Sequence, residues 1–167
     1  MKTITQILNK ENISKKINRL SWQIIEKNTK YEEIFIVGIK GNGFLIAKRI
    51  SKILKKNSEF KIYLSEFIMD KKKPDLTKNF IKPYHKINYS QIPIIIIDDV
   101  INSGKTLVYS LNFFIKLYAC NIKIVTLIDR KHRLFPIKSD FSGLNLSTSI
   151  KNHVEVILGK NEGVYIK

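Results

Sequence analysis

The feature that most constrains this chain is a run of four isoleucines, Ile94–Ile97, that ends at Asp98 and Asp99. A short apolar run without polar alternation is typical of a strand buried on both faces of a parallel sheet. Two further runs, Ile34–Val37 and Ile124–Ile128, have a similar character. Each run is far shorter than the roughly 20 apolar residues that span a bilayer, so we expect core strands and no membrane partner.

Amphipathic segments alternate with these strands. Apolar residues at helical spacing predict helices over 13–27, 44–54 and 106–118, the last with Tyr118 on its buried stripe. Additional strands are predicted at 61–67, 154–158 and 164–166. Because strands alternate with helices, we predict an α/β fold whose central sheet is mostly parallel, with helices on both faces.

Length and composition bound the number of domains and the compartment. With 167 residues, 44% of them hydrophobic, the chain is predicted to fold as a single domain over residues 1–167. The N-terminus lacks an apolar signal core, and the lone Cys120 excludes a disulfide framework. We therefore expect a cytoplasmic protein.

The formal charge of +16, from 30 Lys and Arg against 14 Asp and Glu, has two explanations. A strongly basic domain attracts anions such as nucleic acid, nucleotides and polyphosphates. Lys, Ile and Asn also share A/T-rich codons, so genome composition can fill solvated faces with lysine. Composition alone leaves both explanations open.

Residues 69–91 form a region with few apolar pairs and clustered charge. They include a run of lysines and two prolines, namely Lys71, Lys72, Lys73, Pro74 and Pro83. We expect a long, exposed, flexible loop or hairpin, and loops of this length are usually functional or mobile.

The segment from Asp98 to Thr106 contains the residues that indicate a ligand-binding site. A buried strand delivers two carboxylates to its end, and a small polar loop then turns directly into a helix. Backbone N–H groups at that helix start, with the hydroxyls of Ser103 and Thr106, form an anion site that the helix dipole favours. Carboxylates beside a phosphate suit ribose hydroxyls or hydrated Mg²⁺. The segment therefore predicts a sugar-phosphate ligand.

Other interpretations of these residues fit less well. Gly104-Lys105-Thr106 resembles the end of a P-loop, but that motif needs glycine where Asp99 stands. Gly41-Asn42-Gly43 resembles a dinucleotide fingerprint, but the third small residue would fall at Ile46. Asp98 and Asp99 lie several residues before the helix, whereas a cap lies at its boundary.

The same segment resembles the phosphoribosyl pyrophosphate (PRPP) signature of type I phosphoribosyltransferases: four hydrophobic residues, two acidic residues and a Ser/Thr-Gly-Lys/Arg-Thr phosphate loop. The resemblance implies that Asp98 and Asp99 are the catalytic carboxylates, that they hold the ribose hydroxyls, and that they hold Mg²⁺ mostly through water and PRPP. The residues it implies in ribose and 5′-phosphate binding are Asp98, Asp99, Val100, Asn102, Ser103, Gly104, Lys105 and Thr106.

A second segment resembles the pyrophosphate loop of that family, whose backbone amides contact the leaving group. It consists of Ile39, Lys40, Gly41, Asn42 and Gly43. The family usually has arginine at the position of Asn42. It also has arginine in the loop over PRPP, where the nearest equivalent is Lys73. Arginine and lysine are not interchangeable at a bidentate site, so these departures put pyrophosphate contacts and the full catalytic rate in question.

A more extensive resemblance, over about residues 11–158, is to the bacterial pyrimidine operon regulators, a family of uracil phosphoribosyltransferases that also bind RNA. The similar stretches are Val37-Gly38-Ile39-Lys40, Ala47-Lys48-Arg49, Asp75-Leu76, Asp129-Arg130, His132-Arg133, Pro136-Ile137, Gly143-Leu144-Asn145 and Thr148-Ser149. The resemblance implies transfer of phosphoribose from PRPP to uracil, giving UMP and pyrophosphate. It also implies a small C-terminal hood over residues 130–158 that covers the base, with Asp129 and Arg130 beside it.

Two positions bear on the base. Purine phosphoribosyltransferases usually carry aspartate at the position of Asn102, where it handles a proton of the purine ring. Asparagine cannot act as a general base, so Asn102 favours a pyrimidine, and a purine-base enzyme stays as the alternative. Leu144 replaces a familial lysine in the hood, so one contact there is expected to be absent.

The resemblance also implies an mRNA leader as a partner. The candidate RNA-binding residues are Lys15, Asn18, Arg19, Trp22, His132 and Arg133. Trp22 stands where the family has histidine, and a tryptophan there either stacks on an RNA base or is buried in a subunit contact. We expect a homodimer or higher homo-oligomer. A nucleotide-sensing RNA-binding attenuator with little turnover is the alternative function.

Overall fold

The computed structural model describes residues 4–70, 78–131, 133–147 and 153–167. Over these ranges nine strands and three helices follow one another along the chain. They are β1 (Thr5–Asn9), α1 (Lys10–Lys27), β2 (Glu33–Ile39), α2 (Asn42–Asn57), β3 (Lys61–Ile68), β4 (Phe80–Lys82), β5 (Ile94–Ile101), α3 (Lys105–Lys116), β6 (Ile122–Arg130), β7 (Phe141–Leu146), β8 (Val154–Ile157) and β9 (Gly163–Ile166).

Six strands form the central sheet, in the order β4-β3-β2-β5-β6-β7. All pairs are parallel except β3 with β4, which is antiparallel at one edge. The isoleucine run lies in β5 at the centre of the sheet, and its four side chains are fully buried. The prediction of a central, mostly parallel sheet is therefore confirmed.

Alternate residues of the strands supply two separate cores, one on each face of the sheet. Ile95 and Ile97 of β5 pack with α1 and α2, whereas Ile94 and Ile96 pack with α3. The second core also contains an aromatic group in which Phe35 lies edge-on to Phe114. Helices cover both faces, as the unbroken apolar strands require.

The helix boundaries have local causes. α1 begins at Lys10 because Asn9 caps it: Asn9 Oδ1 accepts from the Asn12 N–H at 2.8 Å, and Asn12 Oδ1 accepts from the Asn9 N–H at 3.3 Å. α3 ends at Lys116, earlier than predicted. Tyr118 was predicted on its buried stripe, and this was wrong: Tyr118 has φ 58° and is 83% exposed.

A second, antiparallel sheet has the order β1-β9-β8 and joins the two ends of the chain. Leu8, Val156 and Val164 from its three strands pack into the core beneath α1 and α2. Its strands β8 and β9 were foreseen from the sequence, but β1 was not. This three-stranded sheet places β8 beside the carboxyl end of β5, where the site lies.

Two segments, the predicted loop at 69–91 and the predicted hood at 130–158, contain strands that were not predicted. Within residues 69–91, Phe80–Lys82 forms β4, which pairs antiparallel with β3, and Ile81 is buried, while Lys71–Lys73 lie outside the described residues. Within the segment expected to be the hood, Phe141–Leu146 forms β7 and pairs with β6 in the central sheet. Among the described helices, none is long and apolar enough to cross a membrane.

Candidate functional site

A cleft of about 430 Å³ opens at the carboxyl end of β5. Its floor is the end of β5 and the start of α3, and β8 forms the facing wall. The lining residues are Asn42, Asp98–Leu107 and His153–Val156. In parallel α/β sheets ligands bind beyond the carboxyl ends of the strands, so the cleft lies where the fold predicts a site.

Asp98 and Asp99 lie side by side at this strand end but in different surroundings. Asp98 is buried at 5% exposure, and its Oδ1 accepts from the Asp99 N–H at 2.9 Å. Asp99 is partly exposed in the cleft, and its Oδ1 accepts from the Val100 N–H at 2.9 Å. Local backbone donors therefore fix both carboxylates before a ligand arrives.

Asn42, the first residue of α2, connects the cleft walls. Its Nδ2 donates to Asp99 Oδ2 at 3.0 Å and to the Val156 carbonyl at 2.8 Å. Both acceptors lack hydrogens to donate, so the amide orientation is unambiguous. Asn42 thus fixes the second oxygen of Asp99 and ties β8 to the central sheet. No local sequence pattern indicated these contacts.

The loop before α3 has the form of an anion cradle. Gly104 adopts φ +83°, and a Cβ at this position would lie 2.5 Å from Ile137 Cγ2, so glycine is required here. The Ser103 carbonyl accepts from the N–H groups of Leu134 and Phe135, both at 3.1 Å. α3 has no side-chain cap and no acidic residue in its first turn, which leaves its positive end open to an anion.

The remaining residues that were predicted to bind PRPP take the following places. Lys105 and Thr106 are partly exposed in the cleft, and the Lys105 N–H donates to Ser103 Oγ at 3.2 Å. Lys40 and Gly41 are exposed at the start of α2, which also lacks a side-chain cap. Ile39 is fully buried.

Gly43 is buried between α2 and the strand end that carries Asp98. A Cβ there would lie 2.8 Å from the Ile97 carbonyl oxygen and 3.1 Å from Asp98 Cα. Only glycine therefore allows the start of α2 to approach β5 this closely. This close packing brings the two predicted loops together at one edge of the sheet.

Asp129 and Arg130 lie at the end of β6 and are both buried. The Asp129 carboxylate accepts from Arg133 Nη2 and, at 2.6 Å, from Ser139 Oγ. Arg130 Nη1 donates to Asn102 Oδ1 at 2.9 Å. Asp129 thus braces the loop after β6, while Arg130 reaches the edge of the cleft through Asn102.

The candidate RNA-binding residues are only partly brought together. Lys15, Asn18 and Trp22 share the outer face of α1, and Trp22 is 43% exposed. Arg19 on the same helix donates to the carbonyls of Ser142 and Gly143 at 2.8 and 2.7 Å. Arg133 pairs with Asp129. Lys73 and His132 lie outside the described residues.

The two aspartates fit an outer-sphere role toward Mg²⁺. In the described part of the chain, no group of three or more His, Cys, Asp or Glu side chains comes together to hold a metal. Mg²⁺ keeps several waters and commonly binds through one or two carboxylates with substrate phosphates. Asp98 and Asp99 supply such a pair, and a phosphate-bearing ligand would supply the rest.

Known proteins with this architecture define its class. The chain belongs to the phosphoribosyl transferase family, because the phosphoribosyl transferase domain matches residues 3–158. Within that family it is similar to the bifunctional protein PyrR of Clostridioides difficile, with 32% identity over 164 residues, 95% of this chain and 93% of that protein. PyrR of Clostridium kluyveri is 35% identical over 165 residues, 93% of this chain and 91% of that protein.

Solved structures agree on the fold. A hypoxanthine-guanine phosphoribosyltransferase from Bacillus anthracis, with HEPES in its active site, has a TM-score of 0.76 at 16% identity and covers 99% of both chains. The hypoxanthine phosphoribosyltransferase of Trypanosoma cruzi has a TM-score of 0.76 at 12% identity and covers 97% of this chain and 95% of that one. The predicted family and fold class are confirmed.

Proposed function

We propose that the protein transfers phosphoribose from PRPP to uracil, giving UMP and pyrophosphate. The observation that carries this is the pairing of two fixed carboxylates, Asp98 and Asp99, with the uncapped start of α3 in one cleft. The carboxylates suit the two ribose hydroxyls, and the helix start suits the 5′-phosphate.

The reaction asks the protein chiefly to position its substrates. The bond between ribose C1′ and pyrophosphate breaks ahead of attack by uracil N1, through an oxocarbenium-like state. Asp98 and Asp99 hold the ribose, and the backbone of Ser103–Thr106 anchors the phosphate, so that C1′ faces the base. The loop of Ile39–Gly43, at the uncapped start of α2, is placed to receive the pyrophosphate. Mg²⁺, when bound with PRPP, neutralises charge on the leaving group.

A substrate panel tests this function. The protein is incubated with PRPP, Mg²⁺ and, separately, uracil, hypoxanthine, guanine and xanthine, and the nucleotides formed are measured. We expect UMP to form fastest. Faster formation of a purine nucleotide would replace uracil by a purine base, and the absence of any nucleotide product would leave a sensor without turnover.

Substitution of the two carboxylates tests the proposed transfer by mutation. Exchange of Asp98 and Asp99 for asparagine keeps their shape but removes both charges, so turnover should fall at least ~10²-fold. Far-ultraviolet circular dichroism and thermal melting serve as folding controls. Turnover that survives in a folded double variant would place the reaction elsewhere.

A second function, sequence-specific binding of an mRNA leader, is favoured by the exposed face of α1. Lys15 and Asn18 line a groove between α1 and α2 together with Lys10, Arg49 and Lys52. Trp22 lies one turn further along the same face and is free to stack on a base. An electrophoretic titration should show tighter binding to the cognate leader than to a scrambled RNA of equal length, and equal binding would exclude the regulatory role.

We further propose that the chain forms a homodimer or higher homo-oligomer. Trp22 is 43% exposed and Leu45 is 41% exposed, and large exposed apolar side chains are common in subunit interfaces. Sedimentation equilibrium at micromolar concentration measures the mass directly. A mass of 19.5 kDa throughout would show a monomer.

A further inference from the structure

The peptide that joins Ser103 to Gly104 in the anion cradle is held by hydrogen bonds from the loop after β6. The Ser103 carbonyl accepts from the N–H groups of Leu134 and Phe135, both at 3.1 Å. In a trans peptide the carbonyl and the following N–H point in opposite directions. Because Gly104 lines the cleft and neither Leu134 nor Phe135 does, the two bonds turn the Gly104 N–H away from these donors and toward the cleft.

This peptide needs an external constraint because its second residue is glycine. Gly104 adopts φ +83°, and glycine tolerates both signs of φ. Without the two hydrogen bonds, the Ser103–Gly104 peptide could rotate and turn its carbonyl oxygen toward a bound anion in place of its N–H. A carbonyl oxygen repels a phosphate, whereas an N–H at a helix start binds it. The two donors thus fix the orientation that an anion requires.

The loop that supplies these donors is itself fixed by the carboxylate of Asp129. Asp129 is 3% exposed and accepts from Arg133 Nη2, from Ser139 Oγ at 2.6 Å and from the Ser139 N–H at 3.3 Å. Arg133 Nε also donates to the Arg130 carbonyl at 3.2 Å. Arg133 precedes the two donors in the sequence and Ser139 follows them, so Asp129 holds the loop on both sides of the donors.

We infer that Asp129 and Arg133 are positioning residues for the 5′-phosphate. They act through the backbone of the loop after β6, whose N–H groups hold the Gly104 N–H toward the phosphate. Neither side chain lines the cleft, so both act without contact with the ligand. This inference rests on the proposed binding of a sugar phosphate by Ser103–Thr106 and names the residues that prepare that loop for it.

A comparison of UMP with uridine isolates this effect, because the two ligands differ only in the 5′-phosphate. Dissociation constants are measured by titration calorimetry, with competition where binding is weak. The wild type should bind UMP more tightly than uridine. Asp129→Asn and Arg133→Met should each lower that preference by about 10-fold, as for one hydrogen bond to a charged group. General distortion of the fold would weaken both ligands equally and leave their ratio unchanged.

Asp140→Asn is the matched control. Asp140 lies in the same connection between β6 and β7, but its Oδ2 accepts from the Ile124 N–H at 2.7 Å, at the start of β6. This variant should keep the preference for UMP. Hydrogen exchange measures the link directly: the amides of Leu134 and Phe135 should be protected in the wild type and in Asp140→Asn, and should exchange faster in Asp129→Asn.

The double variant, Asp129→Asn with Arg133→Met, should lose no more of the preference than either single variant, because both break the same link. If Asp129→Asn fails to fold, Arg133→Met carries the comparison. The inference is overturned if the wild type shows no preference for UMP, if the variants of Asp129 and Arg133 keep it, or if Asp140→Asn loses as much. Turnover of uracil with an unchanged ratio in the variants refutes only the inference, whereas a lowered ratio without turnover refutes only the proposed enzyme activity.

Discussion

At the scale of single residues, the central amide is Asn42, which lines the cleft and orients a carboxylate. It donates to Asp99 at 3.0 Å and to the Val156 carbonyl at 2.8 Å. The family arginine expected at this position would bring a charge to the pyrophosphate. Asparagine instead fixes the group that suits the ribose and holds β8 in the cleft wall.

Replacement of Asn42 by alanine should therefore weaken PRPP binding by about 10-fold, the value of one or two hydrogen bonds. The KM for PRPP should rise while the KM for uracil changes little, because Asp99 is one of the two carboxylates that we propose to hold the ribose. Asn57→Ala is the matched control on the same helix, since the Asn57 side chain bonds only the Ile53 carbonyl. An unchanged KM for PRPP in Asn42→Ala would contradict a positioning role.

Gly104 allows a second prediction about a single residue. Alanine there meets both a positive φ and Ile137 at 2.5 Å, so Gly104→Ala should lower the free energy of unfolding by about 1–3 kcal/mol and weaken binding of ribose 5-phosphate. Gly159→Ala shares the positive φ, +100°, but has open space around it. Thermal melting and calorimetry of both variants separate the effect of the close contact with Ile137 from the effect of the positive φ. Equal binding of ribose 5-phosphate by both variants would show that the cradle tolerates the clash.

From the sequence, some residues that line the cleft could be predicted, but not the contacts that they make. The spacing from Asp98 to Thr106 is local, so one strand, one loop and one helix start could be predicted together. The bonds from Asn42 to Asp99 and Val156 join residues 57 and 114 positions apart. No local pattern encodes such pairs, because they arise only when the sheet brings separate segments together.

At the scale of the elements, an ion pair attaches the three-stranded sheet to α2. Arg49 of α2 pairs with Glu162, whose side chain is 4% exposed, in the turn between β8 and β9. Glu162 also accepts from the Gly159 N–H at 3.1 Å. The hydrogen bond from Arg49 lowers the pKa of Glu162 below its ordinary value of 4.5. Because β8 is also a wall of the cleft, this pair supports the site from a distance.

The lowered pKa has a definite consequence for stability. The folded state binds the Glu162 proton less tightly than the unfolded state, so the stabilisation is complete above pH 4.5 and is lost as the pH falls through the lowered value. Glu162→Gln should reduce the free energy of unfolding by about 1–3 kcal/mol at neutral pH. Its unfolding should also depend less on pH below 4.5. Urea titrations between pH 3 and 7 measure both effects.

The control for this prediction is a solvent-exposed pair. Glu11 and Lys15 of α1 form an i,i+4 contact with both side chains 71% exposed, and such pairs contribute little to stability. Glu11→Gln should leave the unfolding transition unchanged at neutral pH. If Glu162→Gln behaves in the same way, the turn is not anchored by Arg49.

β1 and β7 were not predicted from the sequence, because neither shows a strand pattern of its own. β1 pairs with β9, so Thr5 lies opposite Ile166 at the other end of the chain, and β1 is too short to show a strand pattern alone. β7 contains Gly143, whose Cβ would lie 2.5 Å from the Leu127 carbonyl, and glycine normally indicates a loop. The long apolar strands and amphipathic helices carry their own periodicity and were predicted.

At the scale of the whole molecule, the charge of +16 divides into paired and unpaired contributions. Arg19, Arg49 and Arg133 have acceptors in backbone carbonyls or carboxylates, so they hold the fold together. Lys55 and Lys56 lie exposed in the last turn of α2, where their positive charges interact favourably with the helix dipole. Net charge is thus a poor guide to the proposed RNA binding, and a test must separate specific contacts from general attraction.

Two variants make that separation. Trp22→Ala changes no charge, so it should weaken binding to the leader by about 10-fold through lost stacking while the salt dependence stays the same. Lys55→Gln with Lys56→Gln removes two charges that do not line the groove between α1 and α2, and should leave both the affinity at physiological salt and the slope against salt nearly unchanged. Filter-binding titrations at several salt concentrations measure both quantities. If the double lysine variant loses more affinity than Trp22→Ala, the attraction is general, and the α1 face is not a specific RNA site.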